Sequence, residues 1–121
     1  MKLPNFEEAF IADEKLNMYC LNPNHDEGQH KAFLFSKLLG FDRNNSEELR
    51  TLLRYIVETE EVAFNRANEY GMLYYVDSTI TRPERTFRLR TIWIIRGNEN
   101  FPRFVSCYIK RRKPAERARR I

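Results

Sequence analysis

Hydrophobic positions recur at two different periods along this chain, and the change of period divides it. In the first half, apolar residues repeat at helical spacing. Phe6, Phe10 and Ile11 form a short stripe, with Asn5 placed as an N-cap and Glu8 three residues later at capping-box spacing. Leu16, Tyr19 and Cys20 continue the spacing after Asp13 and predict a second short helix. The polar segment Asn22–Gly28 reads as a loop, and Ala32, Phe33, Phe35, Leu38 and Leu39 predict a third helix from about Gln29. Gly40 stands where that helix would need a left-handed stop. A fourth helix is expected to be capped by Ser46. Glu47 and Glu48 sit in its first turn, and Leu49, Leu52, Leu53, Ile56 and Val57 form its apolar face. Residues 60 to 69 fit either a short helix or a loop.

After Gly71 the period becomes two. Met72–Thr81, Thr86–Arg96 and Arg103–Lys110 are rich in β-branched and aromatic residues and are separated by short polar connections. These predict a consecutive antiparallel meander. The expected class is therefore α+β, with N-terminal helices packed on one face of a C-terminal three-stranded, or slightly larger, antiparallel sheet. Residues 1–110 read as a single domain and residues 111–121 as a basic C-terminal tail. The middle strand presents Phe87, Leu89, Thr91, Trp93 and Ile95 to one face and Arg88, Arg90, Ile92, Ile94 and Arg96 to the other. An apolar pattern on both faces marks a central strand. Arg88 and Arg90 interrupt it, and the simplest expectation is that they snorkel at a sheet end or pair with acids from the helices.

Composition narrows the function classes. The 121 residues are 42% hydrophobic and 31% charged, which places the chain in the globular range. No apolar run reaches membrane-spanning length and no signal-peptide pattern opens the chain, so a cytoplasmic protein without a membrane partner is expected. The net charge of +4 is unevenly spread. Residues 1–63 carry −5, residues 64–109 carry +3 and the last twelve carry +6. A basic tail can neutralise phosphates without reading sequence. Arg88, Lys110, Arg111, Arg112 and Lys113 are thus the expected nucleic-acid contacts.

The candidate chemistry needs no cofactor. His25 and His30 lie five apart with no clustered companions, a poor zinc pattern. Cys20 and Cys107 sit in apolar runs where cysteines pack. What remains is histidine, cationic side chains and hydroxyls: His25 or His30, Lys31, Arg88, Arg90, and Ser106 with Tyr108. Such a set suits metal-independent RNA cleavage. Histidine moves protons near neutral pH, Lys and Arg stabilise phosphate charge, and the RNA supplies its own 2′-hydroxyl as nucleophile. Whether it assembles depends on strand register. A symmetric closure with Ile95 opposite Phe104 puts Thr91 opposite Tyr108, whereas a one-residue shift or a bulge puts Arg90 there. The sequence leaves both open. It leaves open equally a non-catalytic module that binds a protein or a nucleic acid.

Several segments together resemble a known family. They are Leu3-Pro4-Asn5, Lys15-Leu16 with Tyr19 and Leu21-Asn22, His25 with Gly28 and Lys31-Ala32-Phe33, and Gly40-Phe41. Tyr70-Gly71, Arg90 to Arg96 and Pro102 to Tyr108 complete the set. They look like a family of small bacterial proteins with a domain of unknown function, common in cyanobacteria. That family is remotely similar to the barnase–EndoU–colicin–RelE group of ribonuclease toxins. The resemblance implies helices followed by an antiparallel sheet and a toxin–antitoxin endoribonuclease with a small antitoxin partner. It also implies His25 as acid–base, Lys31 and Arg90 as phosphate ligands, and Ser106 with Tyr108 on the last strand.

Overall fold

The computed structural model describes residues 1–16, 37, 39–83 and 86–110. Among these residues the frame is one α-helix, α1 (Ser46–Thr59), on a four-stranded antiparallel sheet of β1 (Val62–Asn68), β2 (Gly71–Thr81), β3 (Thr86–Arg96) and β4 (Arg103–Ile109). The strands lie side by side in chain order. The meander is therefore one strand larger than the three expected. The added strand is β1, where a helix or loop was anticipated.

β1 is set by its hairpin. Asn68 closes the turn by accepting the Tyr70 and Gly71 N–H groups on its side-chain oxygen, at 2.8 and 3.0 Å. Gly71 then takes φ +149°, and a Cβ there would lie 2.1 Å from the Ile95 carbonyl oxygen. Only glycine lets β2 start this close to β3. The two strands then pair along their full length, from Gly71 opposite Arg96 to Thr81 opposite Thr86.

α1 buries Leu49, Leu53, Ile56 and Val57, the stripe its spacing predicted. Its start differs from expectation. Ser46 is its first residue rather than its cap, because the chain enters through a 3₁₀ turn, Arg43–Asn45. Asp42 caps that turn by accepting the Asn44 N–H, while the Asn45 side chain accepts the Asp42 N–H. Gly40 has the left-handed φ of +79° expected of a helix stop.

The N-terminus departs further. Phe6–Glu8 is a single 3₁₀ turn, and Asn5 stands in left-handed backbone with no side-chain cap. The following residues are drawn into the sheet: the Phe10 N–H donates to Pro102 and its carbonyl accepts from Phe104, at 2.9 and 2.8 Å. Phe10 thus bridges to Arg103 in parallel at the β4 edge. Ala9 and Ile11 point into the core and Phe10 points out. Two sheet hydrogen bonds outcompete a marginal short helix. Residues 13–16 are helical, as is Leu39, but most of the second and third predicted helices lies outside the described residues.

The core lies between α1 and one face of the sheet. Tyr74, Val76, Leu89, Trp93, Phe104 and Cys107 meet Leu49, Leu53, Ile56 and Val57 there. Trp93 is fully buried and sits edge-on to Phe104, ring centroids 5.3 Å apart. Its Nε1–H donates to Thr91 Oγ1 at 2.8 Å, and that hydroxyl donates onward to the Val76 carbonyl at 2.7 Å. The indole N–H and the threonine hydroxyl are thereby satisfied, which spares the cost of burying them bare.

Candidate functional site

The sheet face away from α1 carries the candidate chemistry, and its register decides what meets what. β3 and β4 pair Arg90 with Tyr108, Thr91 with Cys107 and Ile92 with Ser106. The ladder then skips a residue, so that Trp93 pairs with Phe104 and Ile94 with Arg103. Val105 is the extra residue of a β-bulge. On the Arg90 side of the bulge, Tyr108 and Ser106 share the outer face with Arg90. Beyond it, Phe104 faces the core.

The outer face is ordered in cross-strand rows. Thr79 and Arg88 form the first, at the end where Lys110 leaves β4. Asp77, Arg90 and Tyr108 form the second; Phe64, Tyr75, Ile92 and Ser106 form the third; Arg66, Leu73, Ile94 and Arg103 form the fourth. Arginines thus stand toward both ends of the face, Arg88 and Arg90 at one and Arg66 and Arg103 at the other, with Tyr75 and Ile92 between them.

Arg90 is the organising side chain. Its Nε and Nη2 donate to the two Asp77 oxygens at 2.9 and 3.0 Å, a two-point ion pair. Its guanidinium lies over the Tyr75 ring, 4.7 Å from the centroid. Lys110 Nζ reaches the same carboxylate at 3.3 Å, and the Lys110 N–H donates to the Arg88 carbonyl at 2.8 Å. Arg88 donates to the Thr79 hydroxyl at 2.7 Å. Burial by itself would raise the pKa of Asp77. The Arg90 hydrogen bond and charge, with Lys110 adding to them, outweigh it and hold the carboxyl below its ordinary range. Arg90 is pushed further toward its charged form by the Asp77 hydrogen bond, against the cost of burial and with Tyr108 adding to it.

Pairing of the two arginines with helix acids is thus corrected. The acid paired with Arg90 comes from the neighbouring strand, not from a helix, and Arg88 bonds a threonine hydroxyl. Among the predicted catalytic residues, Arg90, Ser106 and Tyr108 share one face. Ser106 is buried, and Tyr108 is half-buried. Arg88 and Lys110 from the predicted nucleic-acid set lie at the same end of that face. His25, Lys31, Arg111, Arg112 and Lys113 lie outside the described residues. Cys107 is fully buried on the core face, in no disulfide.

Sequence reasoning missed Asp77. A signal for it existed: closing the Arg82–Arg85 connection symmetrically sets Thr81 against Thr86 and therefore Asp77 against Arg90. Among the described residues no group of three His, Cys, Asp or Glu could hold a metal ion, and no helix is long and apolar enough to cross a membrane.

Comparison with known proteins places this geometry in context. No curated protein matches the chain. A chain in the solved structure of a contact-dependent growth inhibition toxin–immunity protein complex from Klebsiella pneumoniae 342 shares the fold, with a TM-score of 0.60 at 12% identity. The match covers 83% of this chain and 98% of that one. By sequence, residues 2–111 match the model of a domain of unknown function, DUF6883, and the chain belongs to that family.

Proposed function

We propose that this is a toxin-like domain restrained by a small partner protein, and that it cleaves RNA without a metal. The observation that carries the reading is the bulge in β4, which sets Arg90 directly opposite Tyr108 with Ser106 on the same face. The shared fold supports it from outside, since the similar structure is that of a toxin–immunity complex. In this reading His25 takes the proton from the RNA 2′-hydroxyl, whose oxygen attacks the adjacent phosphorus. The bond from phosphorus to the 5′-oxygen breaks, that oxygen takes up a proton from water as it leaves, and His25 returns its proton to the solvent. Arg90 and Lys31 stabilise charge on the phosphate oxygens. Tyr108 and Ser106 orient the phosphate. Arg88, Lys110, Arg111, Arg112 and Lys113 attract the backbone. The site acts from the protein's own side chains and takes no cofactor.

The test is expression in bacteria without a partner, with cleavage of cellular RNA read on a gel. Wild type arrests growth and fragments RNA. Tyr108→Phe and His25→Ala each lower the rate of the purified protein by about a hundredfold or more. Harmless expression together with intact RNA rejects the catalytic part.

A second reading, a non-catalytic binding module, is favoured by one observation: Arg90 is already engaged by Asp77 and by the Tyr75 ring. In that case the purified protein retains RNA or the partner protein, and Tyr108→Phe leaves the retention unchanged.

A further inference from the structure

Among the described residues, Asp77 is the one acid on the outer face at the end that carries Arg88, Arg90 and Lys110. It stands in mid-strand on β2, with a side chain only 5% exposed. Carboxylates are seldom buried in the middle of a sheet unless something there holds them. Three donors do so: Nε and Nη2 of Arg90 from the adjacent strand, and Nζ of Lys110 from beyond β4. Lys110 reaches across β3 to make its contact. Arg88, exposed, lies one row away on the same face.

This constellation has the chemistry of an oxyanion site. Two N–H groups of one guanidinium, arranged as a fork, together with an ammonium are the donors that recognise a phosphate oxygen pair. The oxyanion bound here is the protein's own. We infer that Asp77 is the resident occupant of a phosphate-binding seat built by Arg90 and Lys110, and that it sets the seat's affinity by competing with any incoming phosphate group. An entering phosphate displaces the carboxylate from one or more donors, or shares them against its repulsion. Either way the wild-type seat is weak by construction, and a ligand must bring binding contacts from elsewhere to fill it. The inference rests on the reading of this end of the sheet as an anion seat, and assigns to that seat its own internal competitor.

The experiment titrates the full chain with inorganic phosphate at neutral pH, following backbone amide shifts of residues 88–90 and 108–110 by NMR. Asp77→Asn keeps the shape of the side chain and removes its charge, so it binds phosphate at least about tenfold tighter than wild type. Because Asp77 is buried, Asp77→Ser is titrated alongside, with folding of each variant checked by circular dichroism. The double variant Asp77→Asn/Arg90→Gln loses the gain. Unchanged or weaker phosphate binding in a folded Asp77 variant overturns the inference, as does a gain that survives loss of Arg90. The outcome is separable from the catalytic reading. Tighter phosphate binding without RNA cleavage leaves this inference standing and rejects that one, and cleavage with no gain at Asp77 does the reverse.

Discussion

The two faces of β3 are built from alternate residues of one segment, yet they are held by different physics. The inner face, Phe87, Leu89, Thr91 and Trp93, is buried against the core and held by apolar contact. Its single polar relay, from Trp93 through Thr91 to Val76, is closed within the protein. The outer face, Arg88, Arg90, Ile92 and Ile94, is half-open, and its two arginines are held by directional hydrogen bonds to Thr79 and Asp77. The inner face specifies where the sheet sits. The outer face is the one from which a ligand can take hydrogen bonds without dismantling the fold.

That contrast is broken first at the inner face. Trp93→Ala empties the largest fully buried position and is expected to cost about 3–5 kcal/mol in denaturant unfolding. A loss comparable to that of a surface residue would mean that the core is not centred there.

Next in size is Arg90→Gln, expected to cost about 2 kcal/mol, because it leaves a buried carboxylate with Lys110 as its remaining cation. It also changes the pH dependence. In the wild type the Asp77 pKa is depressed on folding. The ion pair's contribution is therefore complete above the ordinary carboxylate range and is lost as pH falls through the depressed folded value. Without Arg90, burial raises that value, and acid unfolding followed by circular dichroism begins at higher pH. An unmoved acid transition would show that Asp77 does not govern it.

Thr91→Val keeps the shape and deletes the hydroxyl between Trp93 and Val76. Stranding the indole N–H is expected to cost about 1–3 kcal/mol, and an unaltered melting temperature would show that the relay contributes nothing. The smallest effect belongs to Phe64→Ala on the outer face. With Phe64 48% exposed, unfolding should shift by no more than about 0.5 kcal/mol. A larger loss would make the outer apolar row part of the core after all.

Much of this contrast was legible in the sequence. The alternation of β2, β3 and β4 and the stripe of α1 gave those elements to within a residue or two, because each buries one regular face. β1 was not legible, since its residues from 63 to 68 are exposed and carry no period. Pairing with β2 and the Asn68 turn make it a strand. The Asn5–Ile11 segment reads as a capped helix until β4 is present to pair with Phe10, which is a tertiary effect that no local signal reports. At the site, residue types marked Arg90, Ser106 and Tyr108. Their convergence depends on a bulge that the alternation of Phe104, Ser106 and Tyr108 does not announce. Asp77 was within reach of a hairpin argument, but it looked like one more polar residue in a strand.

The Val105 bulge makes the length of β4 count residue by residue. The two ends of β4 obey opposite parity rules: before the bulge an even-numbered residue, Phe104, points inward, and after it even-numbered Ser106 and Tyr108 point outward. The extra residue works like a frameshift in a reading frame. Deleting Val105 restores an unbroken ladder in which Phe104 still meets Trp93 and Tyr108 still meets Arg90. Inserting one residue between Ser106 and the core-facing Cys107 would instead put Tyr108 into the core and a thiol beside the arginine. Changes of chain length are thus tolerated at one point of this strand and disruptive a residue or two away.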